Sequence, residues 1–99
     1  MEELTKTTQT QATIKILNIR YSDGLWSFNV VAEKKVEIGK GREVKIIVEA
    51  SIVDKYMTGY TVYSDVDNVE KALFPDEYKD FKKKTKEFLE EIREILQVQ

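Results

Sequence analysis

The sequence predicts an α+β protein: an antiparallel four-stranded meander followed by a short helix and a long, partly exposed C-terminal helix. Two observations carry this prediction. Apolar and polar residues alternate with a period of two over residues 11–64, which is typical of half-buried strands, and the period changes to about 3.6 from Asp67 onward. Strands followed by helices favour helices packed on one face of the sheet. The 99 residues fit one domain, residues 1–99.

The first predicted strand changes its apolar face part-way along. Its apolar positions are first even-numbered and then odd-numbered: Ala12, Ile14, Ile16, Leu17, Ile19 and Tyr21. Because side chains alternate between the two faces of a strand, this switch predicts a bulge or a strong twist near Ile16. Ser22-Asp23-Gly24 then predicts a tight turn in which glycine supplies a positive φ.

A long antiparallel hairpin is predicted next, with its turn at residues 39–42. Its inward-facing residues are Trp26, Phe28, Val30, Ala32, Val36, Ile38, Val44, Ile46, Val48, Ala50 and Ile52. Only Lys34 interrupts this alternation. After a break at Gly59, residues 60–64 predict a short fourth strand.

Two helices are predicted after the sheet. Asp67, with Glu70 three residues later, predicts the capped start of a short helix within residues 65–74, which Pro75 ends. Residues 76–98 contain no Gly or Pro and predict a second helix about 33 Å long. Residues 1–10 are polar and predict a flexible tail or an edge strand, and residues 11–64 predict the antiparallel sheet.

The long helix carries the predicted partner-binding surface. Its apolar side chains recur at spacings of three and four residues, which suit both a coiled-coil seam and a face that covers the sheet. The residues predicted to contact a partner are Tyr78, Phe81, Phe88, Leu89, Ile92, Ile95 and Leu96. Strands of five to ten residues measure about 20 to 30 Å, so a 33 Å helix is expected to overhang the sheet.

The charge order of this helix favours self-association. Four lysines between Lys82 and Lys86 precede four glutamates between Glu87 and Glu94. This order opposes the helix dipole, but two such helices meeting antiparallel would place each basic block against an acidic one. We therefore expect a protein partner or a homodimer, contacted through this helix.

Nucleic-acid binding is the alternative prediction. The candidate contact residues are Lys34, Lys35, Lys40, Arg42, Lys45, Lys55 and Tyr60, with Tyr56 and Tyr63 as further stacking surfaces. Lysines at a hairpin tip can enter a groove, and aromatic rings can stack on unpaired bases. Glutamates interrupt this cluster, however, and the net charge of −2 opposes binding to a polyanion.

The composition argues against an enzyme. The chain has no His and no Cys, which removes the commonest general base, the commonest metal ligand and the thiol nucleophile. Asp65 and Asp67 have the spacing of a divalent-metal pair, but a turn at Asp65 and a helix cap at Asp67 explain them better. We therefore expect a non-enzymatic protein with no cofactor, no metal ion and no small-molecule substrate.

The absence of long apolar runs bounds the predicted location. No run approaches the roughly 18 residues of a membrane span, and the first 13 residues lack the apolar stretch of a signal peptide. We therefore expect no contact with membranes and a cytoplasmic protein. Charged residues at 34%, only four Gly and one Pro also predict stability at high temperature.

A resemblance to a class of viral proteins extends over the whole chain. It rests on the run rich in Lys, Glu, Ile, Val and Tyr from Lys34 to Tyr63, on the missing Cys and His, and on the charged terminal helix from Asp76 to Gln99. In these features the chain resembles the small orphan proteins of hyperthermophilic archaeal viruses, filamentous ones in particular. The resemblance implies the host-cell cytoplasm and a role in regulation, assembly or antagonism of host defence, and it transfers no functional residue.

Overall fold

A computed structural model describes residues 12–99 as one antiparallel sheet followed by two helices. The elements are β1 (Ala12–Ser22), β2 (Leu25–Ile38), β3 (Arg42–Val53), β4 (Tyr56–Ser64), α1 (Val69–Ala72) and α2 (Pro75–Leu96). The strand order is β1-β2-β3-β4, so each strand pairs with its neighbour in the chain. The predicted α+β meander is confirmed, whereas the prediction for residues 1–10 lies outside the described residues.

Two tight turns lie at the same end of the sheet, Asp23–Gly24 between β1 and β2 and Asp54–Lys55 between β3 and β4. Residues with positive φ form both turns. Asp23 and Gly24 both have positive φ, 54° and 80°. A two-residue turn with this backbone conformation matches the right-handed twist of the two strands that it joins. Between β3 and β4, Asp54 takes a φ of 60°. Its N–H donates to the Trp26 carbonyl at 2.8 Å, so the pairing of β2 with β3 extends to this turn.

The predicted bulge in β1 is confirmed, two residues beyond Ile16. The register with β2 shifts between Leu17 and Arg20, and Asn18 adopts a left-handed φ of 54°. As a result Ile16, opposite Val30, and Tyr21, opposite Trp26, reach the same face despite their different parity. We call this the inner face, because α2 packs on it.

Strand β4 begins four residues earlier than predicted. A two-residue turn leads directly into Tyr56, and Gly59 pairs with Ser51 inside the strand. A register shift follows there, since Ile52 pairs with Met57 and Thr58 is the extra residue. The sequence interpretation of Gly59 as a break was wrong, because a glycine next to a bulge does not end a strand.

The short helix is smaller than predicted and starts differently. It spans only Val69–Ala72, and its N-cap is Asn68 in a left-handed conformation with no side-chain capping bond. Asp67 therefore does not cap it, and the predicted capping box with Glu70 is wrong. Asp65 does shape the preceding turn, as expected, because its carboxylate accepts the Lys45 N–H at 2.9 Å.

Helix α2 begins at Pro75 and ends two residues before the predicted boundary. The Glu77 carboxylate accepts the Phe74 N–H at 3.0 Å, which satisfies a backbone donor at the helix start. At the other end Gln97 takes a left-handed φ of 57°, and the Val98 N–H bonds to the Arg93 carbonyl. The left-handed residue turns the chain out of the helix, although glycine usually occupies this position.

The core lies between α2 and the inner face of β2 and β3. Its fully enclosed side chains include Val30, Ala32, Ile38, Val44, Ile46, Val48, Ile52, Phe88 and Ile92. The predicted inward face of the hairpin is thus confirmed except at its far end, where Trp26 is 57% exposed.

The expected overhang of the helix is wrong, and the reverse holds. Strand β2 has 14 residues and measures about 46 Å at the usual strand rise, against about 33 Å for the 22 residues of α2. The strand is therefore longer than the helix packed on it.

Candidate functional site

The predicted partner-binding stripe of α2 lies mainly against the sheet. Phe81, Phe88, Leu89 and Ile92 are buried, Tyr78 and Leu96 are half-buried, and Ile95 is 50% exposed. Burial of this stripe removes large apolar side chains from water and fixes the helix on the sheet. Ile95 is therefore the most accessible member of the predicted set.

A charged pair beside the stripe holds the C-terminal third of the helix to β2. Lys34, on the inner face, donates to Glu91 at 2.8 Å, and its ammonium lies 5.7 Å from the centre of the Phe88 ring. Both charged side chains are about three-quarters buried. The interruption of the β2 alternation at Lys34 thus marks a contact with α2.

A second set of contacts joins the start of α2 to the turn between β2 and β3. The Gly39 N–H donates to Asp80 at 3.0 Å, and Arg42 Nη1 donates to Glu77 at 3.0 Å. Glu77 is therefore shared between the helix start and the turn. These bonds leave the basic hairpin tip neutralised at Arg42.

The predicted nucleic-acid residues are only partly brought together: Lys35 and Lys45 are cross-strand partners, whereas Lys55 lies at the other end of β3. Lys34 and Arg42 are paired with helix carboxylates, and Lys45 lies 3.5 Å from Glu33. Lys35, Lys40 and Lys55 are exposed and form no ion pair within residues 12–99.

The three predicted stacking tyrosines are also separated. The register places Tyr60 on the inner face of β4, opposite Ala50, and Tyr63 on the other face, opposite Ile47. Tyr56 shares that other face, since it pairs with Val53 at the far end of the strand. No two of them are brought together as a stacking platform in the described part of the chain.

At the Asp65–Asp67 pair, which has the spacing of a metal motif, the Asp65 carboxylate engages in structural contacts. Asp65 accepts a hydrogen bond from the Lys45 backbone and another from the Ser64 hydroxyl. Over residues 12–99, no group of three or more Asp and Glu side chains has the arrangement of a metal site.

An exposed apolar surface lies at the free end of the β1–β2 hairpin, and sequence reasoning missed it. We call it the apolar end; its residues are Ile16, Ile19, Tyr21 and Trp26, each at least 47% exposed. The Tyr21 and Trp26 rings are in contact, with centroids 4.9 Å apart and planes tilted by 57°. An aromatic pair of this geometry presents a large and rigid surface.

The apolar end is exposed because α2 does not reach it. Trp26 and Tyr21 lie on the inner face beyond Phe28 and Ile52, which are the last inner-face pair of β2 and β3 that contributes to the core. Ile95 lies one helical turn beyond Glu91, on the flank of α2 that faces β2. The exposed helix residue and the apolar end therefore flank the same uncovered part of the inner face.

The strand length is the signal that could have revealed this surface. The alternation from Trp26 to Ile38 continues over 13 positions, so the sequence already implies a strand longer than the helix that covers it. The sequence interpretation assumed strands of ordinary length instead.

Comparison with known proteins finds no matching family model, curated protein or solved structure. Neither of the two described helices is long and apolar enough to cross a membrane.

Proposed function

We propose that this protein is a non-enzymatic interaction protein that associates with a second copy of itself through the apolar end. One observation carries the proposal: Tyr21 and Trp26 contact each other and are both more than half exposed on a sheet face that α2 leaves uncovered. Trp and Tyr are enriched among the residues that dominate the binding energy of protein interfaces. The surface assigned here replaces the helix stripe, whose central residues are buried.

The size of the apolar end supports an interface. Aromatic side chains of this kind carry about 150 to 250 Å² each, and roughly half of each is exposed here. Together the four residues present on the order of several hundred Å², the range in which exposed apolar patches mark interaction sites.

The charges around the apolar end favour a second copy as the occupant. Within residues 16–29 the charged residues are Arg20 and Asp23, one of each sign. Arg20 pairs with Ser27 and so lies on the opposite face of the sheet from Tyr21 and Trp26, which leaves no charged side chain on the inner-face patch itself. When two copies associate about a two-fold axis, this uncharged patch meets itself. Two copies thus bring no net charge into the interface, whereas a strongly charged partner gains nothing from this patch.

Sedimentation equilibrium of the full chain tests the proposal. We expect a concentration-dependent dimer for the natural chain and a dimer dissociation constant raised at least tenfold for Trp26→Ser. Tyr63→Ser is the matched control, because Tyr63 is a similarly exposed aromatic on the other face of the sheet. Far-UV circular dichroism establishes that both variants are folded.

Two outcomes would refute the proposal. One is a natural chain that sediments as a monomer at millimolar concentration. The other is equal weakening by the Trp26 and Tyr63 substitutions. A monomer that instead binds a viral or host protein through the apolar end would keep the interaction role but reject self-association. The cytoplasmic setting and the viral role implied by the resemblance stay predictions.

A further inference from the structure

A groove runs between the inner side of β4 and the facing flank of α2, away from the apolar end. Its volume is about 410 Å³. Tyr60, Val62, Thr85 and Leu89 form its largely apolar floor, and its rim consists of Lys82, Lys86, Glu90 and Arg93. The groove therefore combines an apolar base with three cations and one anion.

The strand that borders this groove, β4, is an edge strand of the described sheet and carries no charged residue. From Tyr56 to Ser64, β4 contains no Lys, Arg, Asp, Glu or Pro, the residues that usually protect an edge strand from pairing. The other edge strand, β1, has such protection in Lys15, Arg20 and its central bulge. Strand β4 is thus the edge that is open to pairing.

The chain itself pairs with the first part of this edge. The Gln99 N–H donates to the Lys55 carbonyl at 2.8 Å, and the Met57 N–H donates to the Gln99 carbonyl at 2.9 Å. Beyond this contact, residues 59–64 have no backbone partner on their outer side within the described chain. A single residue, Gln99, therefore pairs with the start of this edge, and residues 59–64 remain available for pairing within the described chain.

The three cations of the groove form no ion pair among residues 12–99. Lys86 forms no ion pair among residues 12–99, although Glu90 is one turn away. Arg93 Nε is buried and has no hydrogen-bond partner there, while Lys82 lies over the Tyr78 ring at 4.8 Å. On a chain of net charge −2, this flank is locally positive and favours acidic side chains.

We propose that this groove binds an extended acidic segment of a partner protein by strand addition to β4. The segment's backbone pairs with residues 59–64, and every second side chain points into the groove because side chains alternate along a strand. Carboxylates at these positions meet Lys86 and Arg93, and apolar side chains pack on Val62 and Leu89. Single-stranded nucleic acid would match the cations but would leave the strand edge unpaired, so a peptide is favoured.

Fluorescence anisotropy with synthetic peptides tests this proposal on the full chain. In the labelled probe peptide, Thr alternates with groove-facing positions that carry Glu and Val in turn, and the comparison peptide has Lys in place of each Glu. We expect the acidic peptide to bind at least tenfold more tightly. N-methylation of alternate amides in the acidic peptide should weaken binding by a similar factor, because it removes the backbone donors that pair with β4.

Paired variants locate the binding site. Lys86→Gln combined with Arg93→Gln should weaken binding of the acidic peptide at least tenfold. Lys79→Gln combined with Lys83→Gln removes the same charge from exposed helix positions outside the groove and should leave the affinity nearly unchanged. Thermal unfolding of both double variants checks that each retains the fold.

Four outcomes would overturn the proposal: no binding of the acidic peptide at millimolar concentration, equal binding of its N-methylated form, equal loss in both double variants, or tighter binding of an oligothymidylate of similar length. None of them bears on the apolar end, because sedimentation of the Trp26 variant tests that surface separately.

Discussion

Gly39 shows how one residue connects a turn to the position of a helix. Its φ of +59° lies in the left-handed region that side chains with a Cβ disfavour. A Cβ at this position would lie 2.8 Å from Glu77 Cγ, closer than two such atoms can approach. Glu77 would then have to move away from Arg42 and from the Phe74 N–H, both of which it binds.

Substitution of this glycine should therefore destabilise the fold. We expect Gly39→Ala to lower the free energy of unfolding by about 1 to 3 kcal/mol, the sum of backbone strain and displaced hydrogen bonds. Urea unfolding followed by circular dichroism measures the change. Gly59→Ala is the control, since Gly59 has no positive φ and a Cβ there meets no atom within 4 Å. A control variant as unstable as Gly39→Ala would contradict this account.

The residue pattern alone could predict the sheet better than the helix boundaries. Strict alternation fixed the inward residues of β2 and β3, because a shift of one position would turn every apolar side chain toward water. The cap expected at Asp67 failed because the chain instead turns at Asn68, where a left-handed conformation starts the helix without a side-chain bond. Such a choice depends on local backbone geometry, which the residue types leave open.

At the scale of elements, relative length decides which surfaces are covered. Helix α2 is fixed near its start by Glu77 and Asp80 and in its C-terminal third by Glu91, and it ends before the sheet does. The sequence could predict the apolar stripe of the helix and the apolar face of the hairpin. It could not predict their alignment, because the contacts that set it join residues 35 to 57 positions apart.

Substitutions along the helix stripe measure this alignment. We expect Phe88→Ala to lower the free energy of unfolding by about 3 to 5 kcal/mol, since Phe88 is 1% exposed and its removal leaves a cavity. Ile95→Ala should cost less than about 1 kcal/mol, because half of that side chain already faces water. Urea unfolding at low protein concentration gives both values. Similar losses at the two positions would mean that the helix covers more of the sheet than described.

At the scale of the whole molecule, short connections join the strands and helices. Each strand pairs with its sequence neighbour, and two-residue turns join β1 to β2 and β3 to β4. The start of α2 bonds to the turn after β2, and Gln99 bonds to residues at the turn before β4. The helix is thus tied to both ends of β3, and little chain remains free to lose order on heating among residues 12–99.

These short connections and the charged composition together predict a high unfolding temperature. We expect a single cooperative transition with a midpoint above 65 °C, roughly the top of the range for mesophilic domains. Differential scanning calorimetry measures this midpoint.

The described ion pairs, Lys34 with Glu91, Arg42 with Glu77 and Lys45 with Glu33, share no residue and form no network. The two more exposed pairs contribute little, and the largely buried Lys34–Glu91 pair is only weakly screened by salt. About 0.5 M salt should therefore lower the midpoint by only a few degrees. A midpoint below 65 °C would contradict the expectation from composition, and a large salt effect would show that charge, not the short connections, supplies the stability.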